Sequence, residues 1–291
     1  MLKRLIQRLA SATESTPAPA AGPSAPVSPL WCGLRDACQD GWYRAETGEL
    51  LEGFAISAED VVLDVGCGEG VATLFAARQG ASVIFTDTEQ AKVDQVAQAV
   101  GQTPTRQQQG WVSDSNPLPV ADGCASRVVC LEVLEHVQDP AVVMAELVRA
   151  GQPGAQYLLS VPDPVAEELQ RGIAPAAYYA PPNHVRIFTR EAFAQLEEDA
   201  GLVIEQRRAN GFFWVINMLF YWARQRAEGH ELRGAVRDQV SDGQDALAQD
   251  WAGLWQRLLE RPDGLAIKRE LERFMPKSQV IIARKPLSGT P

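Results

Sequence analysis

The sequence predicts an α/β protein built on a doubly wound, mostly parallel sheet, with a helical insertion before its last strand. Three observations predict it. Short apolar runs alternate with helical patterns of about ten residues from residue 61 onward. Most of these helical patterns close on a glycine. The first apolar run, in "VVLDVGCGEG", enters a turn with three glycines at alternate positions, where a doubly wound sheet receives its ligand.

Taken in order, strands are expected at residues 61–65, 82–86, 127–131, 156–161 and 202–206, with a weaker one near 109–112. Between them, helices are expected from Val71 to a cap at Gly80, and from Glu89 to Gly101. Asp139-Pro140 reads as an N-cap followed by proline in the first turn, opening a helix that stops at Gly151. Thr189 precedes "REAFAQLEEDAG", a helix closed by Gly201. The rhythm then breaks. Residues 211–277 hold the aromatic run "FFWVINMLFYW" and mixed-charge helical stretches, before "SQVIIARKP" supplies a final strand. The aromatic run is too short to span a bilayer. Burial against the domain is its default reading, with capping of a site, binding of an apolar substrate tail and contact with a membrane interface as alternatives.

Three parts are expected. Residues 1–10, "MLKRLIQRLA", place Leu2, Leu5, Ile6 and Leu9 on one helical face beside Lys3, Arg4 and Arg8. That pattern suits either peripheral contact with an anionic membrane or docking on the protein itself. Residues 11–29 are a Pro/Ala-rich linker, and residues 30–287 form the domain. A formal charge of −10, from 37 acids against 27 bases, argues against nucleic acid as a partner. Five cysteines without a C-x-x-C pair suit free thiols in a reducing, cytoplasmic compartment. With three histidines, a multi-histidine zinc site is not expected, and no metal ligands are assigned.

The glycines Gly66, Gly68 and Gly70 spell G-x-G-x-G, whereas a dinucleotide fingerprint needs glycine at Val71. Asp64 and Glu69 beside the turn suit a positively charged cofactor better than a diphosphate. Asp87, ending "SVIFTD", is placed to accept hydrogen bonds from ribose hydroxyls. With "SDSNPLPVADG" and "VVCLEVLEHVQDP" following in order, the chain resembles the class I S-adenosylmethionine-dependent methyltransferases, which are Rossmann-like. Its likeness is greatest to the branch acting on small molecules, sugars and quinone precursors.

The resemblance implies S-adenosyl-L-methionine as cofactor. Asp64, Gly66, Gly68 and Gly70 would form the loop at its methionine end, and Asp87 would hold the ribose. Ser113 and Asp114 would meet the adenine edge, and Leu131 and Glu132 would line the sulfonium side. Ala125-Ser126 replaces the Phe-Asp common before the fourth strand and reads as a structural substitution. The implied reaction is in-line methyl transfer to oxygen of a sugar, glycan or small hydroxylated metabolite. A quinone-precursor phenol is the alternative acceptor, and a non-catalytic cofactor-binding regulator is the alternative from another class. An NAD oxidoreductase is disfavoured by Val71 and by the fourth-strand motif.

His136 and His184 are the candidate general bases, since imidazole titrates near neutrality. His184 lies in a loop with Tyr178 and Tyr179 that would either wall the acceptor or, through His184 and Arg186, simply be anchored to the domain. Glu132, Glu135 and His136 form an E-x-x-E-H cluster, a pattern associated with a divalent metal in the ubiquinone-biosynthesis O-methyltransferases. Arg207, Arg208, Arg224 and Arg226 flank the aromatic run and offer charge for a phosphate-bearing acceptor, or are simply solvated.

Overall fold

The structure is a computed structural model, described here for residues 27–232 and 245–287. The expected segment 1–10 and most of the linker fall outside the described residues. The linker's end is revised. Pro29 already belongs to helix α1 (Pro29–Gln39), whose N-cap Ser28 accepts a hydrogen bond from the Trp31 N–H. A small antiparallel sheet follows, made of β1 (Trp42–Arg44), β2 (Glu49–Leu51) and β3 (Phe54–Ala55). Neither α1 nor this sheet was expected.

The main sheet has seven strands in the order β6-β5-β4-β7-β8-β10-β9. Its first half comprises β4 (Val61–Val65), β5 (Ser82–Asp87), β6 (Gln108–Val112) and β7 (Ala125–Leu131). These are joined by α2 (Val71–Arg78) and α3 (Gln90–Val100) and pair in parallel. Helix α4 (Pro140–Ala150) leads to β8 (Gly151–Pro162), parallel to β7. As read from sequence, Asp139 caps α4 by accepting from the N–H groups of Ala141 and Val142. β8 begins earlier than its apolar run, with a register shift absorbed between Ala125 and Arg127 on its partner. Helix α5 (Pro164–Arg171), a short 3₁₀ turn at Ala176–Tyr179 and α6 (Arg190–Asp199) carry the chain to β9 (Val203–Asn210). The closing strand β10 (Ser278–Arg284) is antiparallel to both β8 and β9. The order reverses between β4 and β7, and that switch point opens beyond their carboxyl ends.

Between β9 and β10 lie α7 (Phe212–Ala227), α8 (Ala246–Leu259) and α9 (Gly264–Phe274). The aromatic run is buried against the protein. Phe212 and Phe213 pack with Cys32, Ala252 and Trp255, while Tyr221 and Trp222 pack with Tyr178. Gly33 on α1 admits the Trp214 indole so closely that a Cβ there would lie 2.2 Å from it. No helix among the described residues is long and apolar enough to cross a membrane.

Candidate cofactor and acceptor site

The glycine turn is built by its neighbours. Gly66, Gly68 and Gly70 all have positive φ, at 71°, 51° and 75°. At Gly66 a Cβ would lie 2.4 Å from the Val133 side chain, so glycine is needed there for packing as well as for turning. The turn is then tied down by carboxylates. Asp87, 2% exposed, accepts from the Gly68 N–H at 2.9 Å through one oxygen and from the Glu89 N–H at 3.1 Å through the other. Asp64 accepts from both the N–H and the hydroxyl of Thr73, fixing the start of α2 to the end of β4. Burial pushes its carboxyl up to about 6, against the Thr73 hydrogen bonds that pull it down.

The two acids beside the turn are held differently. Asp64 engages Thr73 through one carboxylate oxygen, and Glu69 bonds Lys92 and Gln95 on α3. Ser113 and Asp114 follow β6 and shape a turn. The Ser113 N–H donates to the Asp87 carbonyl at 2.9 Å, and its hydroxyl accepts from the Ser115 N–H. Asp114 is exposed and accepts from the Asn116 N–H. Thus Gly68, Asp87 and Ser113 adjoin at the ends of β4, β5 and β6. Ser126 is structural, as expected, since its hydroxyl donates to Asp60 and accepts from the Val61 N–H.

Across the switch point, the end of β7 carries the second half of the site. Leu131 is its last residue, half-buried and opposite Ser160. Glu132, at φ +57°, accepts from the Ser160 hydroxyl at 3.1 Å and forms an ion pair with Lys277. Burial works against this carboxylate, but the Lys277 ammonium outweighs it and holds the group below the usual carboxylate range. Lys277 directly precedes β10 and went unnoticed in the sequence; nothing in its local pattern marks it.

The two histidines do meet. His136 and His184 stand edge to face with ring centroids 4.9 Å apart. His136 Nδ1 lies 3.0 Å from the Pro182 carbonyl, and His184 Nδ1 lies 2.9 Å from the buried Glu167 carboxylate. Glu167 also accepts from the Tyr178 hydroxyl at 3.0 Å, so α5 supplies the anchor for the whole loop. Glu167 was not read from sequence either, although it sits on the inner face of a short amphipathic helix. Burial, then the neighbouring His184, hold His136 below the ordinary imidazole value, leaving it neutral at pH 7. Tyr178 packs on His184 at 4.6 Å and on Trp222 at 5.1 Å.

The E-x-x-E-H cluster does not assemble as a set. Glu132 is taken by Lys277 and Ser160, whereas donor atoms of Glu135, His136 and His184 all lie within 4.8 Å of one another. The flanking arginines are also committed within the protein. Arg207 donates to the Arg190 carbonyl, Arg208 to Glu52 and Gln206, and Arg226 to the carbonyls of Gly172 and Ile173. Arg224 lies 3.9 Å from Asp245.

A sheet of this order, with a glycine turn after β4 and an acid ending β5, defines a Rossmann-like methyltransferase fold. The sequence match gives the same class. Residues 4–207 match the family model described as methyltransferase domain, and the chain belongs to that family. It is a class I, S-adenosylmethionine-dependent methyltransferase. Among curated relatives, it is 30% identical over 162 residues to the ubiquinone biosynthesis O-methyltransferase of Xanthomonas oryzae pv. oryzae, covering 50% of this chain and 67% of that one. The enzyme of the same name from Hahella chejuensis is 38% identical over 100 residues, which cover 34% of this chain and 42% of the other. Among solved structures, the [4+2]-cyclase SpnF superposes with a TM-score of 0.55 at 17% identity, covering 99% of this chain and 93% of that one. That last likeness speaks for the fold alone, since one fold hosts several reactions.

Proposed function

We propose that the protein methylates the oxygen of a small phenolic acceptor of the quinone-precursor kind. The observation that supports this most is the His136–His184–Tyr178 cluster, assembled on the segment that follows β7 and the loop that follows α5. The names of the curated relatives point to the phenolic acceptor, and none of the relatives described here carries a sugar in its name. The sugar or glycan acceptor that the sequence reading put first therefore yields to its alternative.

S-adenosylmethionine supplies a methyl group already activated on a sulfonium leaving group. The chain's own work is positioning. In this reading the turn from Gly66 to Gly70 receives the methionine end, Asp87 the ribose, and Ser113 with Asp114 the adenine edge. Leu131 and Glu132 line the path between the two halves, and the Glu132–Lys277 pair keeps that wall electrically balanced. Holding two reactants in line removes about 7–11 kcal/mol of a bimolecular barrier. Neutral His136 takes the hydroxyl proton as the new bond forms, with His184 held behind it by Glu167. A phenol, being the more acidic hydroxyl, asks less of that base than an alcohol does.

The test is methyl transfer from labelled S-adenosylmethionine to a panel of catechols, simple phenols, sugars and nucleotide sugars. Transfer to a catechol or phenol, abolished by His136→Ala with S-adenosylhomocysteine affinity unchanged, is the expected result. Transfer to the sugars alone, or full activity in the variant, would overturn the reading.

A further inference from the structure

We infer that Tyr43, on the small antiparallel sheet, closes the methionine end of the cofactor site, where its hydroxyl donates to the methionine carboxylate of S-adenosylmethionine. The inference concerns the cofactor side and stands whichever acceptor is methylated. The groups already placed at that end, Asp64 and the glycine turn, offer no side-chain donor for a carboxylate.

The first support is backbone strain. Among the described residues, three other than glycine have positive φ: Tyr43 at 57°, Ser115 at 71° and Glu132 at 57°. Ser115 stands in the turn that follows β6, and Glu132 follows β7, so two of the three flank the proposed cofactor path. A bulky aromatic residue is unfavourable in that region of backbone space, and strain of this kind collects at ligand sites.

The second support is place. β1 runs beside α2. The Ala45 carbonyl accepts from the Gln79 side chain at the C-terminal end of that helix, and the Tyr43 ring lies 6.3 Å from that of Phe75, one turn nearer the glycines. The start of β1 stands level with the carboxyl end of the main sheet. There the Glu52 N–H donates to the Gly41 carbonyl, and the Glu52 carbonyl accepts from Arg208. Arg208 pairs with Val280, Val280 with Ser160, and Ser160 with Leu131, the last residue of β7. Tyr43 and Leu131 pack on one hydrophobic cluster, which includes Cys67 and Ala72 at the two ends of the glycine turn.

The third support is the hydroxyl itself. Tyr43 is half-buried, yet its hydroxyl carries no hydrogen bond, and that oxygen is not sealed off from solvent. Burial, with Cys38 and Asp64 adding to it, raises the phenol above its ordinary value, so it is a neutral donor at pH 7. An acid and a neutral donor side by side suit the amino-acid end of the cofactor. Asp64 faces the ammonium, and the phenol is left for the carboxylate, to which a hydrogen bond is charge-assisted.

The experiment is calorimetric titration of the full-length protein and of Tyr43→Phe with three probes. These are S-adenosylmethionine, its decarboxylated form, and 5′-methylthioadenosine, which lacks the whole amino-acid end. The variant keeps the ring against Phe75 and removes only the hydroxyl. Affinity for S-adenosylmethionine should fall about tenfold in Tyr43→Phe, with both other probes within about twofold of the wild type. Unchanged affinity for S-adenosylmethionine would overturn the inference. So would an equal fall for the decarboxylated form, which would place the hydroxyl away from the carboxylate, or an equal fall for all three probes, which is what a purely structural role would give.

Discussion

Asp87 holds two backbone N–H groups at once, one from the glycine turn and one from the start of the next connection. Its carboxylate is therefore both the proposed ribose ligand and the tether of the loop beside it. Hydrogen bonds to a charged group contribute about 1.5–3 kcal/mol each. Asp87→Ala should thus weaken S-adenosylhomocysteine binding by about 10- to 100-fold, while Asp87→Asn, which retains one accepting oxygen, should fall between the two. Calorimetric titration reads both, and unchanged affinity in the alanine variant would remove Asp87 from the site. Asp64 shows how far a single residue can be read from sequence. Its place before the glycines was legible, but its partner Thr73 was not, because a hydroxyl in the first turn of a helix carries no pattern of its own. The partners of Glu69 were not legible for the complementary reason. A carboxylate in a turn points wherever its strongest partner lies, and Lys92 on α3 was that partner.

Helices α1 and α9 are joined by buried charge. Lys268, 2% exposed, contacts Asp36, Asp40 and Glu272, and the Trp255 indole donates to Asp36 at 2.7 Å. Three acids share one ammonium. Burial, only partly offset by Lys268, pushes the Asp40 carboxyl up to about 8, and Asp36 is raised by the same cause. The folded state thus binds a proton on Asp40 that the unfolded chain, titrating near 3.9, has already lost. Folding takes up that proton between about pH 4 and 8, so the stability this group provides falls as pH rises through the window. Melting temperature measured from pH 6 to 8.5 should therefore decline in the wild type and decline less steeply in Asp40→Asn. Parallel curves would show that Asp40 is ionised throughout. None of this was legible element by element. The strands of the parallel half declared themselves by apolar runs and capping residues, whereas α1 follows a proline-rich stretch and joins α9 through residues more than 200 positions away.

At the scale of the molecule, the sheet and the helices α7 to α9 meet through few covalent links. β9 ends at Asn210 and β10 begins at Ser278, and these residues face each other in the ladder, with the Lys277 N–H donating to the Asn210 carbonyl at 2.8 Å. The sheet would close there without the insertion. The sequence showed this interruption, because a period of strands and helices stopped and later resumed. It did not show that α1 packs with the inserted helices, since that contact is fixed by Cys32 against Ala252 and Phe212 and by the buried Lys268 cluster. Helices α1, α7, α8 and α9 should therefore open together, as one cooperative unit of lower stability than the parallel strands β4, β7 and β8. Native-state hydrogen exchange would read this directly, with the amides of the four helices converging on one opening free energy below that of the central strands. Exchange of α1 with the strands, rather than with α8 and α9, would mean that the N-terminal helix is part of the sheet's own core. The shared unit also has a consequence at the site. Lys277 lies three residues beyond α9, so opening of that unit pulls at the ammonium that balances Glu132, and exchange near β7 should quicken whenever the Lys268 cluster is weakened.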